Sequence, residues 1–600
     1  MSYQAPVKDM LFTIREVAGL DCVRQLPGFE DATDDTVEAV LTEAARFNGE
    51  VLAPLNWAGD LKPSSVSDGV VTTTPGFRAA FRAFAEAGWQ GVQHPAAFGG
   101  QQLPKLVATA CTEMTNSANL SFALCPLLSD GAIEALLTAG SDAQQKLYIP
   151  RLVSGEWTGT MNLTEPQAGS DLAAIRTRAQ PDGDHYRLFG QKIFITYGDH
   201  DFTPNTIHLV LARIDGAPAG VKGISMFIVP KFLVNADGSI GERNDVQSIS
   251  IEHKLGIHAS PTCVMAYGQK QGAIGYLVGE ANRGLEYMFV MMNAARLSVG
   301  LEGYAVADRA YQQAAEWART RVQGKPPVPG INAPAPIIYH PDVKRMLLTM
   351  KSQIEALRAV AMYASFQLDL GARHPDAAIK AAAQTRGDLL IPVVKACSTE
   401  AGIELASLGV QIHGGMGFVE ETGAAQPYRD VRITTIYEGT TAIQSNDFIG
   451  RKLARDRGAA MSSLIADMRS ELATITPTGA ADVTAAVIES KAATLEAIDA
   501  LEFAVKSVLA ASAQGPERAL AVSVPALRLA GYVIGGWLLT KSAAIAARKL
   551  GESGADVDFL RGKLASARFY AGHILPQAHA LARVVSAGAA SVLEVDAAVV

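Results

Sequence analysis

The stretch Thr160-Met-Asn-Leu-Thr-Glu-Pro-Gln-Ala-Gly-Ser-Asp171 crowds hydroxyls, Gly and Pro together at the point where the texture of the chain changes. Before it, apolar positions recur at helical spacing over residues 36–47, 76–87, 105–115 and 131–139, with turn clusters such as 95–100 between them. After it, residues 186–188, 192–196, 208–213, 224–229 and 262–267 form short β-rich runs separated by Gly, Pro and Asp, which predicts a compact β domain. Helical periodicity returns from 284 to about 456, interrupted by the Pro-rich stretch 326–336, which reads as an irregular excursion. The expected class is therefore mainly α with a central β domain, divided at 1–157, 158–280, 281–456 and 457–600. In the last region Leu495, Ile498, Leu501, Val505 and Val508 fall three or four apart on one helical face, which suits core packing in an additional helical domain.

Composition narrows the function. Six hundred residues suggest about four domains. A hydrophobic content of 48% against 19% charged excludes long disorder. The balance of 52 Lys and Arg against 60 Asp and Glu leaves a net charge of -8, so no global positive field is available for nucleic acid or an anionic membrane. Cys22, Cys111, Cys125, Cys263 and Cys397 lie far apart with no CxxC pair, which argues against a disulfide framework and a zinc ribbon and for reduced thiols. Residues 1–10 are polar and lack a secretory apolar run, so a cytoplasmic protein is expected. The apolar stretch 529–539, between Arg528 and Lys541, reads as a buried helix, being shorter than the roughly 20 residues a membrane span needs.

Four segments carry candidate chemistry. The loop 160–171 can present backbone N–H groups and short hydroxyls to the carbonyl and phosphate acceptors of a flat anionic cofactor, although an ordinary turn explains it equally well. Phe194-Ile-Thr-Tyr-Gly198 places Phe194 and Thr196 on one strand face, where they either line a planar ring or fill core and surface. Gln411-Ile-His-Gly-Gly-Met-Gly417 follows a helical pattern, so it is not a dinucleotide fingerprint; its glycines either cap the helix or touch a cofactor, and His413 alone reads as a packed histidine. In Arg432 to Gln444 one carboxylate, Glu438, stands between Ile-Tyr and Gly-Thr. Apolar surroundings would raise its pKa and let it take a proton from carbon, and the competing reading is an acid favoured at a helix N-terminus.

Taken in order, Gly88-Trp-Gln-Gly91, Pro95 with Gly99-Gly100, Thr164 to Asp171, Phe194-Ile-Thr196, Glu252-His-Lys-Leu-Gly256, Gln411 to Gly417 and Tyr437-Glu-Gly-Thr440 resemble the acyl-CoA dehydrogenase superfamily over roughly 88–453. The longer termini and the 326–336 loop are most similar to the long subclass that includes bacterial 3-methylmercaptopropionyl-CoA dehydrogenases. The resemblance implies a helical N-terminal domain, a β-barrel-like middle domain and a helical bundle, with FAD between the last two. It assigns Met161, Leu163, Thr164, Phe194, Thr196 and Thr440 to the cofactor, and Ser170, Asn293 and Arg296 to the substrate. It further implies that Arg321 and the Gln411, Gly414, Gly415 segment hold a dinucleotide half, the latter from a neighbouring subunit, which makes a homodimer the expected unit.

Two departures stand out: Tyr197 occupies a position where Asn is usual, and the familiar Arg-x-x-Phe-Gly is contracted to Arg321-Val-Gln-Gly324. The family carries its catalytic carboxylate either in Tyr-Glu-Gly-Thr or just before the Arg of the helix that opens the bundle. The second position here is Ala295, so the resemblance implies Glu438 as the base. The implied reaction is α,β-dehydrogenation of a short or medium acyl-CoA, including 3-methylmercaptopropionyl-CoA, with an electron-transfer flavoprotein as acceptor. An acyl-CoA oxidase and a DNA-binding flavoprotein of the same superfamily are the rivals, the latter disfavoured by the near-neutral charge after Asp456.

Overall fold

The computed structural model describes residues 3–600. Its N-terminal layer is helical. Helix α1 (Asp34–Phe47) starts where the Thr33 hydroxyl accepts from Thr36 N and buries Val37, Leu41, Ala44 and Phe47, while α2 (Phe77–Glu86) buries Phe77, Ala80, Phe81 and Phe84. Helices α3 (Lys105–Ala118) and α4 (Leu120–Ala139) are separated by Asn119, whose side chain accepts from Phe122 N at 3.1 Å. Ser141 and Gln144 form a capping box on α5 (Asp142–Val153). Helix α4 begins eleven residues before the stretch 131–139 in which periodicity was visible. Its first half is buried on all sides, and a helix apolar all round shows no amphipathic period.

The β region is an eight-stranded sheet beside a two-stranded ribbon of Phe232–Val234 and Ile240–Arg243, and the sheet is built from β1 (Thr158–Asn162), β2 (Arg178–Asp182), β3 (His185–Thr196), β4 (Thr206–Ile214), β5 (Ile224–Pro230), β6 (Val246–Ile251), β7 (Thr262–Tyr267) and β8 (Ala273–Val278). Their order is β6-β7-β3-β8-β5-β4-β1, with β2 pairing β3 and β4. The runs 186–188 and 192–196 belong to the single long strand β3.

Three long helices follow, α6 (Gly284–Thr320), α7 (Pro341–Arg373) and α8 (Ala377–His413). Helices α6 and α8 approach at backbone distance. A Cβ on Gly303 would lie 2.3 Å from Ser398 O and one on Gly402 2.5 Å from Gly303 O, so no larger residue fits at either place. A short helix α9 (Thr441–Asp447) continues as a wider turn, Phe448–Ala454, and then α10 (Ala481–Gln514), α11 (Ser523–Lys549) and α12 (Val557–His573) form the main part of the C-terminal helical region. Ile498, Leu501, Val505 and Val508 are buried there, with Leu495 half-buried beside them.

This last region is tied to the rest of the chain by buried charge. Lys563 Nζ reaches Asp9 Oδ1 at 2.6 Å and Glu355 Oε2 at 3.0 Å, and Arg358 bridges Asp9 and Glu113 at 2.7 and 2.6 Å. The apolar run at 529–539 lies, as a buried helix was expected to, inside α11, whose 27 residues extend well beyond the run itself. By length and composition α11 and α4 could each cross a membrane, and the most apolar windows of the two are 78% and 83% buried within the protein.

Candidate active site

The loop after β1 is shaped by a buried ion pair. Glu165 Oε1 accepts from Lys192 Nζ at 2.8 Å and from Thr177 N at 3.0 Å, and Oε2 accepts from Arg176 N and the Gln167 amide, each at 2.6 Å. Lys192 Nζ also donates to Leu163 O at 2.9 Å. Lys192 and its hydrogen bonds hold the Glu165 carboxyl down at about 2 against burial, while burial brings the ammonium down to about 8. Neither residue was among the sequence candidates. The available signal was a lysine in mid-strand facing a loop glutamate.

Lys192 and Ile195 are both buried although they are three apart, because a bulge opposite β7 interrupts the alternation. At that bulge Phe194 takes a left-handed φ of 59° and stands 60% exposed, with Thr196 half-buried two residues on. Thr164 and Thr196 keep their hydroxyls without a hydrogen-bond partner among the described residues. Met161 is buried on the opposite strand face from Thr160 and Asn162, whose side chains link to His208 and Tyr267. Ser170 is exposed at the end of the loop, before Asp171 accepts from Ala173 N at 3.0 Å. Tyr197, with a φ of 47°, is buried and donates to Ser121 O at 2.7 Å.

Glu438 lies on a second left-handed turn, with a φ of 53°, a conformation that costs on the order of 1–3 kcal/mol outside glycine. The turn is braced from two sides. Lys395 Nζ on α8 donates to Thr434 O at 2.8 Å and Gly439 O at 2.7 Å, and the Gln444 amide donates to Glu438 O at 3.1 Å. The hydroxyl of Thr440 accepts from Ile443 N at 3.3 Å and caps α9, so Glu438 precedes the cap and the helix-terminus reading of it is set aside. Burial pushes the Glu438 carboxyl up to about 7, against the pull of Arg296 and Lys395. Arg296 is buried on α6, donates to Asn293 Oδ1 at 3.3 Å and leaves its Nε unpaired. Ala295 is buried in the same apolar cluster as Met161.

The remaining candidates gather at the far end of α6. Arg321 caps the helix with its guanidinium 5.9 Å above the Trp317 ring, and Trp317 stacks on His413 at 5.3 Å. His413 also shares a 2.7 Å hydrogen bond with Gly409 O, as a packed histidine does. Gln411, Gly414 and Gly415 are exposed beside it, with open space where side chains on the two glycines would be. Arg321 follows Arg296 by about 37 Å along α6, at ~1.5 Å per residue.

One turn along α6 from Ala295, Ser298 lines a cavity of about 50 Å³ enclosed by Phe47, Phe84, Trp89, Cys111 and Leu127 among others. Its volume is room for a few waters or a short aliphatic tail.

Residues 38–156, 160–268 and 282–453 match the N-terminal, middle and C-terminal domains of acyl-CoA dehydrogenase, and 464–596 match a region described as acetyl-CoA dehydrogenase C-terminal like. The chain is 47% identical over 586 residues to the 3-methylmercaptopropionyl-CoA dehydrogenase of Ruegeria pomeroyi, with 97% of each covered. Among solved structures, Caenorhabditis elegans ACDH-11 in complex with C11-CoA superposes with a TM-score of 0.75 at 21% identity, over 96% of this chain and 92% of that one. An FAD complex of acyl-CoA dehydrogenase from Bacillus anthracis superposes with a TM-score of 0.70 at 21% identity, over 96% and 91%. The chain belongs to the acyl-CoA dehydrogenase family.

Proposed function

We propose that the protein is an FAD-dependent dehydrogenase of short acyl-CoA thioesters, with 3-methylmercaptopropionyl-CoA a good substrate and Glu438 the base. The observation that carries the reading is the Glu438 turn: a carboxyl with its pKa near neutrality, held in a left-handed conformation beside Arg296, on a chain 47% identical to a dehydrogenase of that thioester.

The residues present suit a flat, polar-edged cofactor. Phe194 is held out of the sheet by the bulge, and the hydroxyls of Thr164 and Thr196 are free of protein partners among the described residues. Met161, Leu163, Thr164, Phe194 and Thr196 would hold the ring, with Thr440 nearby. When bound, FAD supplies the hydride acceptor that α,β-dehydrogenation requires.

The chain supplies the proton chemistry. In its ionised form Glu438 takes the α-proton, and its own backbone N–H, which has no partner among the described residues, is available to the thioester carbonyl as negative charge develops on it. Arg296 and Asn293 flank the thioester arm and Ser170 the pantetheine. The cavity beside Ser298 takes the acyl tail and limits its length.

A homodimer fits the far end of α6. Met416, Phe418 and Val419 are exposed apolar residues that follow Gly414 and Gly415 closely in sequence, and the resemblance gives the Gln411, Gly414, Gly415 segment to the cofactor of a second copy. A cytoplasmic location and an electron-transfer flavoprotein as acceptor belong to the same reading.

The test is anaerobic. Purified protein should be yellow, and 3-methylmercaptopropionyl-CoA should bleach it without an added acceptor. A colourless protein that FAD does not reconstitute overturns the reading, and peroxide release in air identifies an oxidase instead.

A further inference from the structure

Six residues beyond Arg296 on α6, Glu302 is a carboxyl with no exposure to solvent. Tyr437, the residue before Glu438, donates its hydroxyl to Glu302 Oε2, while Oε1 has no hydrogen-bond partner at all. The ammonium closest in charge terms, Lys395, gives its hydrogen bonds to Thr434 O and Gly439 O and none to Glu302. An anion in this setting would be a fully desolvated charge with no cation bonded to it, so the group is held as the neutral acid. Burial pushes its pKa up to about 8 in agreement with that. The charged and titratable groups that face it are Tyr437 and Glu438 from the turn and Lys395 from α8, with Arg296 acting on Glu438 from its own helix.

We propose that Glu302 is a positioning residue for the reaction: as the neutral acid it anchors Tyr437, and through it the left-handed turn at Glu438, and it keeps a second negative charge away from the α-carbon. The inference rests on Glu438 being the base. Both parts have a physical reason. The turn is strained, so it needs fixed contacts on each side, and Tyr437 to Glu302 is one that reaches across 135 residues of sequence. An ionised Glu302 would raise the pKa of Glu438 by like-charge repulsion and oppose the negative charge that α-proton removal creates on the thioester.

The experiment is single-turnover anaerobic bleaching of the FAD-loaded protein by 3-methylmercaptopropionyl-CoA from pH 6 to 9.5, with FAD content and thermal unfolding recorded for each variant. The wild-type rate should rise to about pH 8 and then fall. Glu302→Gln keeps an acceptor for Tyr437 and cannot ionise, so its plateau should stay within twofold of wild type and the alkaline fall should vanish. Glu302→Ala should be roughly tenfold slower than wild type on the plateau and lose the alkaline fall, and Tyr437→Phe should be roughly tenfold slower with the fall retained, as loss of one hydrogen bond implies, with FAD content and substrate affinity unchanged. An alkaline fall that survives in Glu302→Gln, as titration of Lys395 would produce, overturns the proposal, as does a wild-type rate in Glu302→Ala. If the alanine variant fails to fold, the pH profile of Glu302→Gln decides alone. Glu438→Gln is the separate control: bleaching at the wild-type rate there removes the base assignment itself, whatever the Glu302 variants do.

Discussion

Lys192 Nζ sits 2.8 Å from Glu165 Oε1 and 2.9 Å from Leu163 O, so one buried ammonium joins the strand that carries Phe194 to the loop that carries Thr164. Lys192→Met should therefore leave Glu165 as a buried carboxylate without its counter-charge and cost about 3–5 kcal/mol, read by denaturant unfolding, with FAD content falling at the same time. Because Glu165 has a depressed pKa, the stability it contributes is present above about pH 4.5 and is lost as pH falls toward 2. Wild-type stability with FAD retention in the variant would show that the pair does not shape the loop.

Glu438→Gln should keep the fold and the cofactor yet lose about 10² to 10⁴ in turnover, the usual share of a positioned base. In the wild-type enzyme kcat/KM should rise with pH through about 7, since the raised pKa of Glu438 keeps it protonated and inactive below that value. An acid limb near the ordinary glutamate range of about 4 to 5 instead would mean that the carboxyl is not desolvated in solution.

Chain length should follow the cavity beside Ser298. The wild type should favour butyryl- and 3-methylmercaptopropionyl-CoA over palmitoyl-CoA. Leu127→Ala, which opens the cavity wall, should shift the kcat/KM ratio toward hexanoyl-CoA by roughly tenfold or more. The same change should cost about 2–5 kcal/mol of stability. An unchanged ratio places the acyl tail elsewhere.

Phe418 is 89% exposed in the single chain. If it lies against a second copy, Phe418→Asp should convert the sedimenting species to monomer mass and release FAD, because the Gln411, Gly414, Gly415 segment would no longer reach the partner's cofactor. A mass equal to one chain in the wild type contradicts the dimer directly.

The order of helical and β regions was legible in the residues because period-3.6 and period-2 patterns are local properties. Thus residues 262–267 coincide with β7, and α1 and α2 begin and end within two residues of the periodic stretches that announced them. The motif segments by themselves left ordinary turns and helix caps as competing readings, and it was their order along the chain, resembling the acyl-CoA dehydrogenase superfamily, that singled out Glu438 and the 160–171 loop. Helix α4 escaped in part because a helix buried on every side carries no phase, and α11 proved longer than its most apolar core.

The tertiary structure alone decided which of these residues work together. Glu438 is pushed to a near-neutral pKa by burial in the fold, against the pull of Arg296 on α6 and Lys395 on α8. Lys192 finds Glu165 across 27 residues, and Tyr437 finds Glu302 across 135. Composition excluded whole classes of function, and the ordered motifs, through their resemblance to one superfamily, indicated what chemistry the chain carries. Desolvation, hydrogen-bond partners and left-handed turns depend on what folding brings within about 3 Å, and that distance is not encoded at any one position of the sequence.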